Sequence, residues 1–350
     1  MSSLDNYYNE ILSNTIVYLY RYGNLTIYIV GNIGNLISIF IFCKKSWRKN
    51  VCVFYFLIFL LLSSVYLNSI ILGTAFINGF HIYAQNSSVL LCKLLHYTAV
   101  LFSTLLPTIL ILASIDRLLI SSQNIDTRLY SSKRLAYFSI SLSTFFWVVF
   151  NLHTLIKVNI QEIGPSIWDC YFDYSEWYLR FVTYSLMIFN CLFCFLMIIL
   201  SIFAYKNIRH IRCIPRNQRK QVRSMTKKDF QLLRCLFVQD IVYISVSLVP
   251  ALYSVYATST RDQIRTPFEE TIIYFLQNLF TFIYFTFYAS SFFIFVTVSK
   301  AFRHELKRFI FKILGKDLAA LREEDNKPEN MEQNNTNLNI PVVSTIVIPA

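Results

Sequence analysis

Charged residues are scarce in this 350-residue chain, since Asp, Glu, Lys and Arg together make up only 15% of it. A soluble domain is about 25% charged, so the chain cannot cover the surfaces of the two soluble domains that its length would allow. Glycine and proline are also few, with 7 and 8 residues, which excludes collagen-like and Pro/Gly-rich low-complexity proteins. Aliphatic and aromatic residues make up 55%, which excludes disorder for most of the chain.

Motifs of catalysis and cofactor binding are missing as well. The five His do not pair with a Glu at metal-ligand spacing, and there is neither a Gly-rich phosphate loop nor a G-x-S-x-G element. We therefore expect no enzyme activity, no metal and no cofactor. The small number of glycines also argues against a transporter built on broken helices.

Long runs without a formal charge are what the sequence has instead. A helix needs about 20 apolar residues to cross a bilayer, and seven runs meet that need. Each is two to three times longer than the roughly 10 residues of a barrel strand and lacks strict alternation. The predicted fold is therefore an all-α membrane protein, a seven-transmembrane helix bundle. Its spans one to seven are predicted at about 25–43, 51–76, 90–119, 135–156, 180–205, 232–257 and 271–298.

Basic residues are distributed unequally between the two sides of such a bundle. With the N-terminus outside, all but six of the 32 Lys and Arg fall in the inside loops 44–49, 116–134 and 206–234 and in the tail from Lys300. Inside loops of membrane proteins are enriched in Lys and Arg, so we predict an outside N-terminus, an inside C-terminus and a plasma-membrane location. The basic residues form no single stripe, which argues against nucleic-acid binding and favours the lipid bilayer as the partner of the spans.

Only two of the eight cysteines fall on the predicted outside, Cys92 at the end of span three and Cys170 in the second outside loop. The exterior is oxidising, so we predict a disulfide between them that ties this loop over the bundle. Asn24 and Asn86 begin Asn-x-Ser/Thr sequons on the same side and are the predicted glycosylation sites. Asp240 is the one formal acid within a span, and a packing role and a switching role both stay open for it.

A seven-span chain with an outside Cys on span three resembles the rhodopsin-like (class A) G-protein-coupled receptors. Cys92 precedes Arg117 by 25 residues, which is the family's spacing between its disulfide Cys and the Arg of its Asp-Arg-Tyr motif. That motif reads Asp116-Arg117-Leu118 here. The resemblance covers about residues 25–314. The other matching residues, which the resemblance assigns to helix packing or bending, are Asn35 after Gly34 in span one, Trp147 in span four and Pro250 in span six.

The segment after span seven resembles the start of the family's short eighth helix. It opens with Ser299-Lys300-Ala301-Phe302-Arg303, and apolar residues recur at helical spacing as far as Ile313. We therefore predict an amphipathic helix at 299–316 on the inner membrane surface. Residues 1–24 are then an extracellular N-terminus, 25–298 the helix bundle, and 317–350 a disordered cytoplasmic tail.

Three family positions depart from the pattern. Ser63 stands where span two normally carries an Asp, and Leu248 replaces the Trp of the span-six Cys-Trp-x-Pro motif. Residues 291–295 replace the Asn-Pro-x-x-Tyr motif of span seven. These losses argue against sodium modulation and predict an unfamiliar route of activation. A divergent invertebrate receptor of the orphan, peptide or chemosensory type fits this pattern best.

The resemblance implies a ligand-activated switch. An extracellular ligand would favour an arrangement in which span six moves outward and opens an inside cavity for a heterotrimeric G protein. Arg117 is the expected central contact of that cavity. At rest the resemblance pairs it with Asp116 and Asp229.

Two missing residues limit the class of ligand that the resemblance implies. Ala99 stands eighteen residues before Arg117, where amine receptors carry an Asp, and span seven has no Lys for a retinal Schiff base. With an acidic second outside loop above the pocket, we expect a basic or amidated peptide first and a small odorant-like molecule second. The remaining candidate pocket residues are aromatic or uncharged: Phe102, Ser103, Tyr253, Tyr256, Gln277 and Thr281.

Two other classes of membrane protein stay open. One is a seven-helix ligand-gated channel of the insect odorant-receptor kind, whose N-terminus lies inside. The other is a transporter or a seven-helix membrane enzyme, for which a measured substrate flux or turnover would be the support.

The orientation of the chain separates a receptor from such a channel. We predict that a protease added to intact cells removes an N-terminal epitope tag and spares a C-terminal one, because the loops rich in Lys and Arg would then lie inside. Immunoblots of the two tags make the measurement, with permeabilised cells as the control. An N-terminal tag that is cleaved only after permeabilisation would favour the channel.

Overall fold

The structure is a computed structural model, and seven helices within its described residues are long and apolar enough to cross a membrane. The chain is therefore a multi-pass membrane protein, and the predicted number of spans is confirmed. Spans two to seven begin and end within about one helical turn of their predicted limits. The described residues are 3–122, 130–164, 167–172, 176–213, 227–260 and 263–314. Spans one to seven are Asn6–Phe42, Val51–Gly79, Val89–Ser121, Lys133–Lys157, Trp177–Asn207, Lys228–Ser259 and Pro267–Val298.

The helices that make up these spans differ in regularity. Two spans contain π-helical turns, which have one more residue per hydrogen-bonded ring than an α-helix. The helix that contains span one joins Ser3–Tyr18, the π-helical segment Leu19–Asn24 and Leu25–Phe42. Span two joins Val51–Tyr66, the π-helical Leu67–Ile71, Leu72–Thr74 and the π-helical Ala75–Gly79. The other helices are Val89–Ser121, Lys133–Phe150, Leu152–Lys157, Glu176–Cys213, Lys227–Ser259, Pro267–Val298 and Lys300–Ile313, with a short 3-10 turn at Ala84–Ser87.

Side-chain caps mark where three of the spans begin. Asn50 and Ser132 each accept a hydrogen bond from a backbone N–H in the first turn of spans two and four. Thr266 forms a reciprocal capping box with Glu269 at the start of span seven, where Pro267 takes the first helical position. Such caps satisfy N–H groups that have no partner within the helix.

Span one begins much earlier than predicted, because residues 3–24 are helical and continuous with it. The prediction depended on Arg21, which ends the charge-free run. In the structure Arg21 Nε donates a hydrogen bond to the Gly79 carbonyl oxygen at 2.8 Å, and its guanidinium lies 5.0 Å from the centre of the Phe80 ring. A paired Arg can therefore lie within the helix. At about 1.5 Å per residue, the 37-residue span is roughly 55 Å long and exceeds a hydrocarbon core of ~30 Å.

Spans one and two approach each other closely near Gly79. A Cβ atom at Gly79 would lie 2.7 Å and 2.8 Å from the backbone N and Cα of Arg21. About one turn further into span two, Thr74 Oγ1 accepts a hydrogen bond from Asn24 Nδ2 at 3.0 Å. The absence of a side chain at Gly79 is what allows the two backbones to meet.

Buried side chains connect the spans further along the bundle. Asn35 Nδ2 of span one donates to Ser64 Oγ of span two at 3.4 Å. Trp147 Nε1 of span four donates to Thr108 Oγ1 of span three at 2.9 Å. Both contacts are interhelical hydrogen bonds of the kind that hold helices together in lipid. Pro250 lies inside the helix of span six, where a proline removes one backbone hydrogen bond.

A β-hairpin connects spans four and five. The fold is therefore not purely α-helical, whereas the sequence predicted an all-α protein. Strand β1, Val158–Gly164, pairs antiparallel with strand β2, Ile167–Phe172, and Ile160 lies opposite Cys170. Strands of 7 and 6 residues are too short to register in a search for charge-free runs of membrane length.

The chain divides into two compact units after Arg303. In the first unit, the Phe302 ring is buried against Phe42 and Phe295, with ring centres 5.6 Å and 5.5 Å apart. The second unit is described to Leu314 and is helical to Ile313.

A helix is thus present at Lys300–Ile313 within the predicted range 299–316. Its place as an amphipathic helix on a membrane surface stays a prediction. The predicted disordered tail at 317–350 lies outside the described residues.

Gly79→Ala tests the close approach of spans one and two. The new methyl group would meet the backbone of Arg21, which can move only if span one shifts, so we expect a loss of stability of about 1–3 kcal/mol. The measurement is the thermal unfolding midpoint of the purified protein in detergent. Gly73→Ala is the control, because a Cβ atom there meets only Leu95 Cδ1 at 3.4 Å. Equal midpoints for the two variants would contradict the close approach.

Candidate functional site

Two clusters at opposite ends of span three contain the predicted cysteine pair and the Asp116–Arg117 motif. We call the first the disulfide end, around Cys92 and Cys170. The second is the Arg117 end, around Arg117 and Asp229. Cys92 and Arg117 are 25 residues apart, which is roughly 38 Å along a helix.

The disulfide end is built on the bond between Cys92 and Cys170, whose sulfur atoms are 2.08 Å apart. The structure thus contains the pair that the sequence predicts. Both residues are buried together with Val158, and Ile160 and Phe172 pack against them. The bond ties strand β2 to the first turn of span three, so the hairpin is attached to the bundle at this point.

A histidine lies beside the disulfide. His96 Nδ1 is 3.4 Å from Cys170 Sγ and 3.2 Å from the Cys92 carbonyl oxygen. The three residues are close enough to surround an ion, but two sulfur atoms that are bonded to each other are not available as thiolate ligands. This cluster therefore does not hold a metal while the disulfide is intact. The wider expectation of no metal stays a prediction.

The two predicted glycosylation sites differ in their surroundings. Asn24 is 0% exposed, and its Nδ2, which would carry the glycan, donates to Thr74 inside the bundle. The folded protein leaves no room for a sugar there, so the prediction for Asn24 does not fit this structure. Asn86 is half-buried, with Oδ1 accepting from Cys170 N at 3.1 Å and Nδ2 donating to the Trp168 carbonyl oxygen at 3.0 Å. A glycosylated amide keeps one N–H, so Asn86 stays a predicted site.

The predicted pocket residues of span three face different surroundings. Phe102 is buried with its ring centre 6.3 Å from that of Tyr66 in span two. Ala99 and Ser103 are half-buried, and Ser103 Oγ donates to the Val100 carbonyl oxygen of its own helix at 2.7 Å. Phe102 therefore contributes to the packed centre of the bundle.

Spans six and seven supply the other predicted pocket residues. Tyr253 and Tyr256 lie together, with ring centres 5.9 Å apart, and the Tyr253 hydroxyl donates to the Ile273 carbonyl oxygen at 3.3 Å. Gln277 is exposed, and Thr281 Oγ1 donates to its backbone carbonyl oxygen at 2.8 Å. The structure thus brings the two tyrosines together at the span six–seven contact, and it places Gln277 on an exposed face.

Tyrosines fill the centre of the bundle, a feature that the sequence does not reveal. Tyr66 stacks on Tyr288 of span seven with ring centres 4.0 Å apart, and the Tyr288 hydroxyl donates to the Tyr284 hydroxyl at 2.7 Å. Tyr243 of span six donates to Asn190 Oδ1 of span five at 2.7 Å. Since the chain has 23 Tyr, composition alone does not distinguish these from the rest.

One fully buried guanidinium organises the Arg117 end. Arg117 is 0% exposed, and its Nη2 and Nε lie 2.6 Å and 3.1 Å from Asp116 Oδ2. Its Nη1 lies 3.3 Å from Asp229 Oδ1 in the first turn of span six. Ser131 Oγ donates to the other carboxylate oxygen of Asp116 at 2.5 Å. The structure therefore places the three charged residues that the resemblance singled out in one cluster.

Asn50 is a fourth member of this cluster that the sequence did not indicate. Its Oδ1 accepts from Arg117 Nη2 at 3.3 Å and from Cys52 N at 2.9 Å, and its Nδ2 donates to Asp229 Oδ1. An Asn before the apolar run of span two is typical of a helix cap. That local signal could have identified the cap, but the contacts with Arg117 and Asp229 depend on the arrangement of three helices.

The cluster is stable only while its charges stay paired. Burying an ion pair gains little overall, but removing one partner of such a pair costs about 3–5 kcal/mol because the other charge is left buried. Removal of Asp116 or Asp229 would therefore leave part of the Arg117 charge buried without a partner.

A further acid is buried between the two ends. Asp240 of span six is 2% exposed, and its Oδ2 accepts from Ser114 Oγ at 3.2 Å and from Ser201 Oγ at 3.4 Å. These hydroxyls belong to spans three and five, so Asp240 connects three helices. The contacts support a packing role, and a switching role stays untested.

No family model matches this chain, and no curated protein matches it. The similarity to class A receptors therefore remains a resemblance, which is carried by the residues named above and by seven helices of membrane length.

Cys170→Ala tests how far the disulfide stabilises the hairpin. We expect the shift in gel mobility on reduction to disappear and the stability to fall by about 2–4 kcal/mol, because the hairpin is no longer tied to span three. Gel mobility with and without reductant and the amount of protein at the cell surface are the two measurements. Cys43→Ala is the control, since Cys43 is an exposed free thiol. A mobility shift that persists in Cys170→Ala would contradict the pairing.

Proposed function

We propose that the protein is a G-protein-coupled receptor that binds an extracellular ligand near its disulfide end and activates a heterotrimeric G protein at its Arg117 end. The observation that supports this most is the buried Arg117, paired with Asp116 of its own helix and with Asp229 of span six. One cation thereby links two helices that a receptor of this kind has to separate.

The two ion pairs of Arg117 are unequal, which supports a switching role for one of them. The contact with Asp116 is 2.6 Å long and that with Asp229 is 3.3 Å long. The Asp229 side chain is also the more exposed, at 14% against 5%. A movement of this end of span six would break the longer contact and keep the shorter one. The two N–H groups of Arg117 Nη1 would then be available to a partner inserted beside span three.

Contacts between spans six and seven offer a route between the two ends. Pro250 interrupts the hydrogen bonds of span six, which favours a bend at that level. On the Arg117 side of this proline, Tyr243 lies 5.2 Å from Phe287 between ring centres, and Gln239 Nε2 donates to Ser291 Oγ at 3.0 Å. A ligand that moves span six at the disulfide end would alter these contacts, which occupy the region where the family's Trp and Asn-Pro-x-x-Tyr motifs are missing.

A basic or amidated peptide is the favoured ligand, and a small odorant-like molecule is second. The hairpin at the disulfide end carries the exposed Glu162 and Trp168. An acid and an aromatic face suit a ligand with positive charge, through Coulomb attraction and cation–π contact. The paired rings of Tyr253 and Tyr256 supply uncharged contact area in span six.

A transporter or ligand-gated channel is the second candidate, and Asp240 is the observation that favours it. Ionisable residues within membrane spans commonly mark ion or proton pathways, and Asp240 is such a residue between spans three, five and six. Ion or substrate flux that is lost in Asp240→Asn, without any nucleotide exchange on G proteins, would establish this alternative.

The test of the receptor is nucleotide exchange on G proteins in cells that express the chain and receive neuropeptide and odorant libraries. We expect Arg117→Ala to abolish exchange while ligand binding is kept, because Arg117 lies at the opposite end of span three from the pocket. Arg134→Ala is the matched control, since it removes an exposed Arg of the same predicted inside loop.

Surface expression is measured for each variant, because Arg117→Ala leaves two acids without their cation. Arg117→Lys keeps a charge for those acids but loses the fork of the guanidinium, so it separates misfolding from loss of coupling. Full signalling from Arg117→Ala would contradict the proposed role.

A further inference from the structure

The short loop between spans one and two, residues 43–50, contacts the start of span six at two consecutive residues. Lys228 Nζ lies 5.1 Å from the centre of the Trp47 ring, a cation–π contact. Asp229 Oδ1 accepts a hydrogen bond from Asn50 Nδ2. We propose that this loop is a clasp that holds span six in the resting arrangement, with Asn50 as its positioning residue. The clasp rests on the proposed function, since it acts on the same movement of span six.

Asn50 uses both polar atoms of its side chain at the meeting point of three chain segments. Its Oδ1 accepts from Cys52 N and from Arg117 Nη2, which matches the two lone pairs of a carboxamide oxygen. Its Nδ2 donates to Asp229, the acid that also pairs with Arg117. A carboxylate of the same length could only accept and an ammonium could only donate, so an amide is the group that satisfies both charged neighbours.

The clasp joins spans one and two, and hydrogen bonds within the loop hold its shape. Asn50 N donates to the Trp47 carbonyl oxygen at 3.0 Å, and Trp47 N donates to that of Lys44 at 2.9 Å. The Trp47 indole is 1% exposed and packs against Phe42 of span one, with 5.5 Å between ring centres. Any movement of span six away from this loop has to break both clasp contacts as well as the ion pair with Arg117.

The clasp therefore stabilises only the resting arrangement. The hydrogen bond from Arg117 to Asn50 and the cap on Cys52 involve no atom of span six, so both can persist when span six moves. The contacts with Lys228 and Asp229 are lost in that movement. A substitution that removes only these contacts shifts the population toward the open arrangement without unfolding the protein.

Two substitutions separate the clasp from the helix cap. Asn50→Ser keeps a capping oxygen but is too short to reach Asp229. Asn50→Asp keeps the cap and an acceptor for Arg117, yet it places a carboxylate against Asp229. The double variant Asn50→Asp/Asp229→Asn is the matched control, because it again sets a donor opposite an acceptor and keeps the total charge of the wild type.

The distance between the loop and span six is the direct readout. Spin labels at Lys45→Cys and Arg234→Cys, both exposed positions, are measured by double electron–electron resonance in nanodiscs, in a Cys43→Ser/Cys213→Ser background. We expect both single variants to increase the population ratio of long to short distances about tenfold, which corresponds to about 1.4 kcal/mol. The double variant should return to the wild-type distribution. Basal nucleotide exchange should rise and fall with the fraction of molecules that show the long distance.

A wild-type distance distribution in Asn50→Asp would overturn the clasp, and so would a double variant that stays open. A residue that only caps the helix would leave both single variants closed. Failure of the proposed function is a distinct outcome: the distances change as expected, but no ligand or variant produces nucleotide exchange. Ligand-dependent nucleotide exchange with unchanged distances would contradict the clasp and support the proposed receptor function.

Discussion

A single buried cation constrains one end of this bundle, because its partners come from three chain segments. Arg117 is 0% exposed, so its charge needs protein partners on all sides. Arg117 finds them in Asp116 of its own helix, in Asn50 at the start of span two and in Asp229 of span six. The geometry of one guanidinium therefore sets how three chain segments meet, and a change in one of them alters the other two.

The two ends of the bundle are held by different kinds of interaction. The disulfide end depends on a covalent bond between Cys92 and Cys170 and on the approach of Arg21 to the backbone at Gly79. The covalent bond keeps its partners in an oxidising environment. The Arg117 end depends on ion pairs and amide hydrogen bonds, which can be replaced by those of another molecule. The receptor proposed above needs one fixed end and one end with exchangeable contacts, and the packed tyrosines lie between them.

Most of the membrane architecture could be predicted from the sequence, and the errors of that prediction have identifiable causes. Charge-free runs located six spans well, but they misplaced the start of span one because Arg21 is paired with Gly79 and Phe80 inside the structure. The sequence did not predict the β-hairpin, because its strands are much shorter than a membrane span. In the candidate site, the cluster of Arg117 with Asp116 and Asp229 followed from a family pattern, whereas Asn50 did not, since its local role as a helix cap conceals its contacts across the bundle.

The sequence by itself determined the number of spans, the two cysteines available for a disulfide and the collection of basic residues on one side of the bundle. These properties follow from transfer of residues between water and lipid, which adds up along about 20 consecutive residues and needs no knowledge of neighbours. Only the tertiary structure decided that Phe102 packs on Tyr66, that Asn24 is enclosed and that Trp47 and Asn50 meet Lys228 and Asp229. Those contacts depend on the rotation and offset of each helix against the others, which are set by the packing of the whole bundle.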